Sequence, residues 1–236
     1  MLELSNIDVA YGNIQALHGI DLIARPGEIT AVLGANGAGK SSLLKSVAGL
    51  APITGGTVKV DGQDLTRMPT HVRASQGLSL AMEGRRLFRG LTVEENLSLA
   101  WSFGPRRTPF AQAVEQVYAA FPILKERRLG KSGMLSGGQQ QMLILSSVTI
   151  REPRYMLLDE PSLGLAPIIV QQIFDFITEY SQARKTTVVI AEQMASMALK
   201  VAHHGYVLRH GKVVMQGTAE ELKQADVINQ LSAAYL

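Results

Sequence analysis

The chain has 236 residues, 46% of them hydrophobic and 18% charged, with a formal net charge of +3; that is enough apolar material for a sizeable core in one large domain or two small ones. It contains no cysteine, which excludes a disulfide framework and a thiolate zinc site and allows a reducing compartment. The small basic clusters Arg85-Arg86-Arg89, Arg106-Arg107 and Arg127-Arg128-Lys131 have no aromatic residues interleaved, so they read as solvated surface and no nucleic-acid partner is expected.

Residues Leu2 to Ala10 alternate loosely and predict a strand closed by Tyr11-Gly12. A second strand is expected from Ala16 to Arg25, with Pro26-Gly27 as its turn. Glu28 to Leu33 is an apolar, β-prone run typical of a buried strand, and Ser42 to Ala48 reads as a helix ending at Gly49. Between them lies Gly34-Ala35-Asn36-Gly37-Ala38-Gly39-Lys40-Ser41, which fits the phosphate-loop pattern G-x-x-x-x-G-K-[ST] at every fixed position. Strand, glycine loop and helix together give the pattern a mechanism. The glycines let successive N–H groups point inward at phosphate oxygens, and the helix start adds its positive dipole end. Lys40 can reach the β- and γ-phosphates and the Ser41 hydroxyl can ligate Mg²⁺. Gly34, Asn36, Gly37, Ala38, Gly39, Lys40, Ser41 and Ser42 are therefore the candidate ATP-binding residues.

Gly55-Gly56 and Asp61-Gly62 bracket a short strand, Thr57 to Val60, so the opening third has antiparallel character around one nucleotide-binding unit. Pro69 to Gln76 predicts a short helix and Gly77 to Met82 a strand leading to Glu83. From Thr92 to about Arg128 the pattern is mostly helical, interrupted by Gly104-Pro105 and Pro109, with Thr92 and Glu95 forming a capping-box signal. Ser136 starts another helix that Pro153 ends by about Arg151. Then β/α alternation returns: a strand at Tyr155 to Leu158, a helix at Pro167 to Ala183, a strand at Thr186 to Ala191 and a helix at Met194 to Val201. A hairpin follows, Gly205 to Arg209 and Lys212 to Gly217 around His210-Gly211, and Thr218 caps a short closing helix. The expected organisation is a single domain over 1–236: an α/β core at about 1–83 and 153–236 with an inserted α-helical lobe at about 84–152.

Two further motifs carry chemistry. The strand at Tyr155 to Leu158 ends in two carboxylates. Asp159 is placed to hold Mg²⁺ through water, and Glu160, directly after it, to orient the attacking water as general base. In Leu135-Ser136-Gly137-Gly138-Gln139, Ser136 is a helix N-cap and the two glycines expose N–H groups at the helix start. That is a second phosphate-binding device in a chain that already has one. One loop cannot wrap a γ-phosphate from both sides, so Ser136, Gly137, Gly138 and Gln139 should act on a nucleotide held by another copy or partner.

On these residues the sequence resembles the nucleotide-binding subunits of ATP-binding-cassette (ABC) transporters. Gly34 to Ser41 matches their Walker A, Leu135 to Gln139 their signature and Leu157 to Glu160 the end of their Walker B, in the family's order. The resemblance implies a P-loop NTPase of the ABC type, with a mixed β-sheet core, an antiparallel β subdomain and the helical lobe. It implies an ATPase that uses ATP and Mg²⁺, faces a second ABC ATPase subunit, and sits on the inner face of the cell membrane through permease subunits. Neither a signal-peptide pattern at Met1 to Ser5 nor a run of eighteen apolar residues is present, which fits a cytoplasmic, peripheral subunit.

The resemblance also names other positions. Tyr11 sits where the family stacks an aromatic ring on adenine. Met82 to Phe88 corresponds to the Q-loop, which touches Mg²⁺ and faces the membrane subunit; the usual Gln is Glu83 here, whose oxygen brings negative charge. In the D-loop, Pro161 to Ala166, Ala166 replaces the usual Asp, and Gln193 stands in place of the switch histidine. A glutamine amide can donate a hydrogen bond to a γ-phosphate but cannot carry a proton, so these departures bear on the rate of hydrolysis, while Glu160 is retained. His203 and His204 lie too far along to replace the switch histidine and read as ordinary surface or packing residues.

Glu83 to Arg86, Thr92 to Leu97, Asp159 to Pro167 and Glu192-Gln193 together look like the shorter ATPase of branched-chain amino-acid importers, the LivF type. Relatives with that look also serve urea, short amides and aromatic acids. In these importers the facing ATPase is a different chain, which implies a heterodimer in the cell and leaves a homodimer open to the isolated chain. A cassette used in DNA repair or translation would carry coiled-coil insertions or a second fused cassette, and a nucleotide kinase would lack Leu135 to Gln139.

Overall fold

The computed structural model describes residues 1–224. Ten strands and nine α-helices form two sheets and a helical lobe among those residues. The first sheet is antiparallel, in the order β2 (Ile14–Ala24), β1 (Leu2–Tyr11), β4 (Ile53–Val60), β5 (Gln63–Asp64). The second has six strands in the order β10 (Lys212–Thr218), β9 (His204–Arg209), β3 (Ile29–Leu33), β8 (Thr187–Glu192), β7 (Tyr155–Asp159), β6 (Leu78–Ala81). It is parallel from β9 to β6, and β10 closes it antiparallel.

Both faces of the central strands are covered, which is why β3, β7 and β8 read as unbroken apolar runs. Side chains alternate between faces. Val32, Tyr155 and Leu157 join the antiparallel sheet and α1 (Lys40–Ala48) in one core, while Ile29, Ala31, Met156 and Leu158 pack on the opposite side against α7 (Pro167–Arg184) and α8 (Ala195–Val201). A third core lies among α3 (Val93–Ser102), α4 (Phe110–Ala120), α5 (Pro122–Glu126) and α6 (Gly137–Thr149). Helix α6 belongs to two cores: Met142 and Leu143 face the helical lobe, and Ile144, Leu145 and Val148 face the sheet. The remaining helices are α2 (Thr70–Ser75) and α9 (Ala219–Leu222).

The expected strand at Thr57 to Val60 is longer than its glycine brackets suggested. β4 begins at Ile53 and runs through Gly55-Gly56. The reason is non-local: its pairing with β1 shifts register between Ser5 and Asp8, and Gly56 takes φ +82° where a Cβ would run into the Asn6 and Ser5 carbonyl oxygens. Gly56→Ala is expected to destabilise the fold by about 2–4 kcal/mol, from left-handed backbone strain plus overpacking. Urea unfolding measures it, and an unchanged midpoint would contradict this account of the bulge.

The expected capping box at Thr92 is formed, and the expected N-cap at Ser136 proves to be a second one. Thr92 Oγ accepts from the Glu95 N–H at 3.1 Å and Glu95 accepts from the Thr92 N–H at 2.7 Å. Ser136 and Gln139 do the same at the start of α6, at 3.3 and 3.0 Å. Pro122 at the first position of α5 adds a break inside the long helical region.

Candidate nucleotide site

Parallel pairing brings four chain segments to one edge of the six-stranded sheet. β3 runs into Gly34, β6 into Glu83, β7 into Glu160 and β8 into Gln193, with Leu33 opposite Glu192 and Asp159 opposite Ala191. Ligands of open α/β sheets bind at this carboxyl edge. A cleft of about 670 Å³ opens there, lined by Asn36, Gly37, Gly39, Lys40, Ser41, Ser42, Glu83 and Glu160 among others.

The loop is shaped by contact as well as by freedom. Gly37 takes φ +81° in open space, so its requirement is conformational. Gly34 needs its missing side chain, since a Cβ there would lie 2.5 Å from the Leu208 carbonyl oxygen of β9. Ala38 is buried, and its N–H closes the turn onto the Ala35 carbonyl at 3.1 Å.

Lys40 is only 4% exposed. Its ammonium donates to the Gly34 carbonyl at 2.8 Å and the Ala35 carbonyl at 3.0 Å, and pairs with Glu160 Oε1 at 3.0 Å. The Ser41 hydroxyl donates to Asp159 Oδ1 at 2.9 Å. Burial pushes the Asp159 pKa up, the Ser41 hydrogen bond opposes that shift, and the neighbouring Glu83 and Glu160 charges reinforce it. Glu160 itself sits at φ +48°, a left-handed conformation that costs a non-glycine residue about 1–3 kcal/mol.

Other expected residues lie elsewhere. Ser136 and Gln139 line a different groove, with Phe121, Met142, Ile169 and Phe176. Gly138 packs on Ile169, and the Arg85 guanidinium lies against Gly137, where a Cβ would be 2.6 Å from Nη1. The same guanidinium donates to the Leu163 carbonyl at 3.3 Å. Tyr11 is half-exposed at the end of β1, and its ladder partner Ile14, rather than Tyr11, lines the cleft. Gln193 is exposed beyond the end of β8, outside the cleft lining.

The cleft also contains residues the sequence reading missed. Gln15, Ala16 and His18 from β2 and His210-Gly211 from the β9–β10 turn form one wall. That turn is pinned by His18 N–H to the Gly211 carbonyl at 2.8 Å and Gly211 N–H to the Ala38 carbonyl at 3.0 Å. The glycine after His210 was the available signal, but it fits any hairpin.

The family model described as ABC transporter matches residues 17–163. The chain belongs to the ABC transporter family. The protein BraG of Pseudomonas aeruginosa, a high-affinity branched-chain amino acid transport ATP-binding protein, is 41% identical over 94% of each chain. A protein of Archaeoglobus fulgidus described as "Probable branched-chain amino acid transport ATP-binding protein LivF" is 34% identical over 98% of each. A solved structure of an ATP-binding cassette of an ABC transporter shares the fold with a TM-score of 0.89 at 24% identity, over 100% of this chain and 98% of that one. Like its family, the chain is a transporter ATPase that binds ATP. Among its own described residues no helix is long and apolar enough to cross a membrane.

Proposed function

We propose that this chain is the ATP-hydrolysing subunit of an importer for branched-chain amino acids, facing a second, different ATPase chain and resting on the inner face of the membrane through permease subunits. The observation that carries the catalytic reading is the division of labour within one chain. The Lys40 loop and Glu160 line one cleft, with Asp159 bonded to Ser41 beside it, while the Ser136 turn lies on another groove, which supports a role for that turn at the cleft of a facing cassette.

The triphosphate is held by the N–H groups of Gly37 to Ser41, with Gly34, Asn36 and Ser42 shaping the loop, and displaces Glu160 from the Lys40 ammonium. Glu160, released, accepts a proton from the water that attacks the γ-phosphorus in line, and ADP leaves. Gln193 donates an amide hydrogen to the γ-phosphate, and Tyr11 stacks on adenine from the cleft rim. Across the dimer, Ser136, Gly137, Gly138 and Gln139 clasp the facing γ-phosphate, so two nucleotides hold the dimer shut and phosphate loss opens it.

The residues present fit Mg²⁺. Ser41, Asp159 and Glu83 are hard oxygen donors, and the buried Asp159 carboxylate sits among negative neighbours. No cluster of three or more His, Cys, Asp or Glu is found among the described residues, so phosphate oxygens and water would complete the shell. Bound with the nucleotide, Mg²⁺ would supply neutralisation of the charge on the triphosphate.

The helical lobe at about 84–152 passes the dimer's motion to the permease through the Arg85 region, which touches both the Ser136 turn and the loop after Glu160. Removing this chain from cells should drop uptake of leucine, isoleucine and valine to background, with restoration by the wild-type chain. Unchanged uptake of these, with loss of urea, short-amide or aromatic-acid uptake instead, would reassign the cargo and leave the machine intact.

A further inference from the structure

Strand β8 ends on an anomaly. After the buried run Thr187 to Ala191, its last residue is a carboxylate, Glu192, only 2% exposed. Among the described residues no ion pair reaches it; burial, with the neighbouring Glu160 charge, pushes its pKa up, and hydrogen bonds from the Ser162 side chain and from the Ser162 and Met194 backbone amides oppose that shift. Glu192 Oε1 accepts from the Ser162 N–H at 3.0 Å, and Oε2 accepts from the Gln193 N–H at 3.2 Å. A buried charge without a cation is costly, so a hydrophobic residue would serve packing better if packing were the only demand.

The two amides it holds flank the reacting groups. Ser162 lies two residues after Glu160, whose left-handed backbone is otherwise tied to β8 by its own N–H to the Ala191 carbonyl at 2.9 Å. The turn from Glu160 to Leu163 closes at 3.2 Å, and the Ser162 hydroxyl reaches the Met194 sulfur at 3.8 Å. Take away the Glu192 carboxylate and the Ser162 N–H is left buried without a partner. The turn then loses the bond that offsets its strain, and the Glu160 carboxylate changes its aim. The second oxygen fixes the backbone at Gln193 in the same act.

We propose that Glu192 is a positioning residue for hydrolysis: one buried carboxylate that sets the aim of Glu160 and the placement of Gln193 together. This rests on the reading of Glu160 as the base and Gln193 as a γ-phosphate contact. Buried and outside the cleft lining, the side chain acts through the backbone amides that donate to it, those of Ser162 and Gln193 foremost.

The test uses the full-length chain with Glu192→Ala, Glu192→Gln, Gln193→Ala and the Glu192→Ala/Gln193→Ala double variant. Equilibrium ATP binding, KM, kcat and thermal midpoint are measured on each. Glu192→Ala should lower kcat about tenfold or more, the loss of a hydrogen bond to a charged acceptor, with ATP affinity within about twofold of the parent. Glu192→Gln keeps one acceptor oxygen for two amides and should lose about three- to tenfold in kcat, which preserves the test if the alanine variant does not fold. Because both residues act through one carboxylate, the double variant should fall no further than the larger single loss. A folded Glu192 variant with parental kcat, losses that multiply in the double variant, or affinity falling in step with kcat would each overturn the proposal. Normal turnover in Glu160→Gln is a separate result: it would remove the base assignment itself, and this inference with it.

Discussion

Lys40→Ala is expected to cut ATP turnover by about a hundred- to a thousandfold, the usual consequence of deleting one preorganised charge donor from a phosphoryl-transfer site. The physical reason is visible in the ammonium's surroundings. It is buried, oriented by the Gly34 and Ala35 carbonyls, and aimed across the cleft at Glu160. Nothing has to reorganise for it to meet the β- and γ-phosphates except the release of one carboxylate. The alanine variant also strands Glu160 as a buried negative charge facing an incoming triphosphate, so ATP affinity falls together with kcat. Phosphate release and equilibrium ATP binding measure both, and near-normal turnover would refute the site.

Glu160→Gln should split these two quantities. Turnover falls by about a hundred- to ten-thousandfold because the proton acceptor is gone. ATP affinity holds or improves, since the amide no longer competes with phosphate for Lys40 and no longer repels it. An ATP-bound dimer therefore accumulates, and gel filtration at saturating ATP and Mg²⁺ should find it. A species that stays monomeric under those conditions would count against the closure mechanism. One ion pair thus predicts opposite effects on binding from its two ends, which a purely structural salt bridge would not.

What was legible in the sequence is what is local. The glycine loop, the capping box at Thr92, the N-cap at Ser136 and the carboxylates ending β7 are each written within about eight residues, and each stands where its pattern placed it. The illegible parts depend on distant partners. The Gly55-Gly56 bulge exists because β1 passes behind it at Asn6, so those glycines lie inside the strand rather than bracketing its start as expected. The Lys40–Glu160 pair joins residues 120 positions apart in the chain. His18 and His210 reach the cleft only because β2 and the β9–β10 turn converge there. Glu192 was visible only as the neighbour of Gln193, because no local pattern says which backbone amides a buried carboxylate will meet.

The central claim is that each nucleotide lies between glycine-rich amides of opposite chains. Its most direct test is a crystal structure of the assembled cassettes with Mg²⁺ and a non-cleavable ATP analogue. The predicted result is a γ-phosphate bound on one side by Lys40 and its loop, and on the other by the Ser136 to Gly138 turn of the facing cassette, at hydrogen-bonding distances of about 2.7–3.2 Å. A triphosphate held by the Lys40 loop alone, with the Ser136 turn of every copy touching no phosphate, would contradict it.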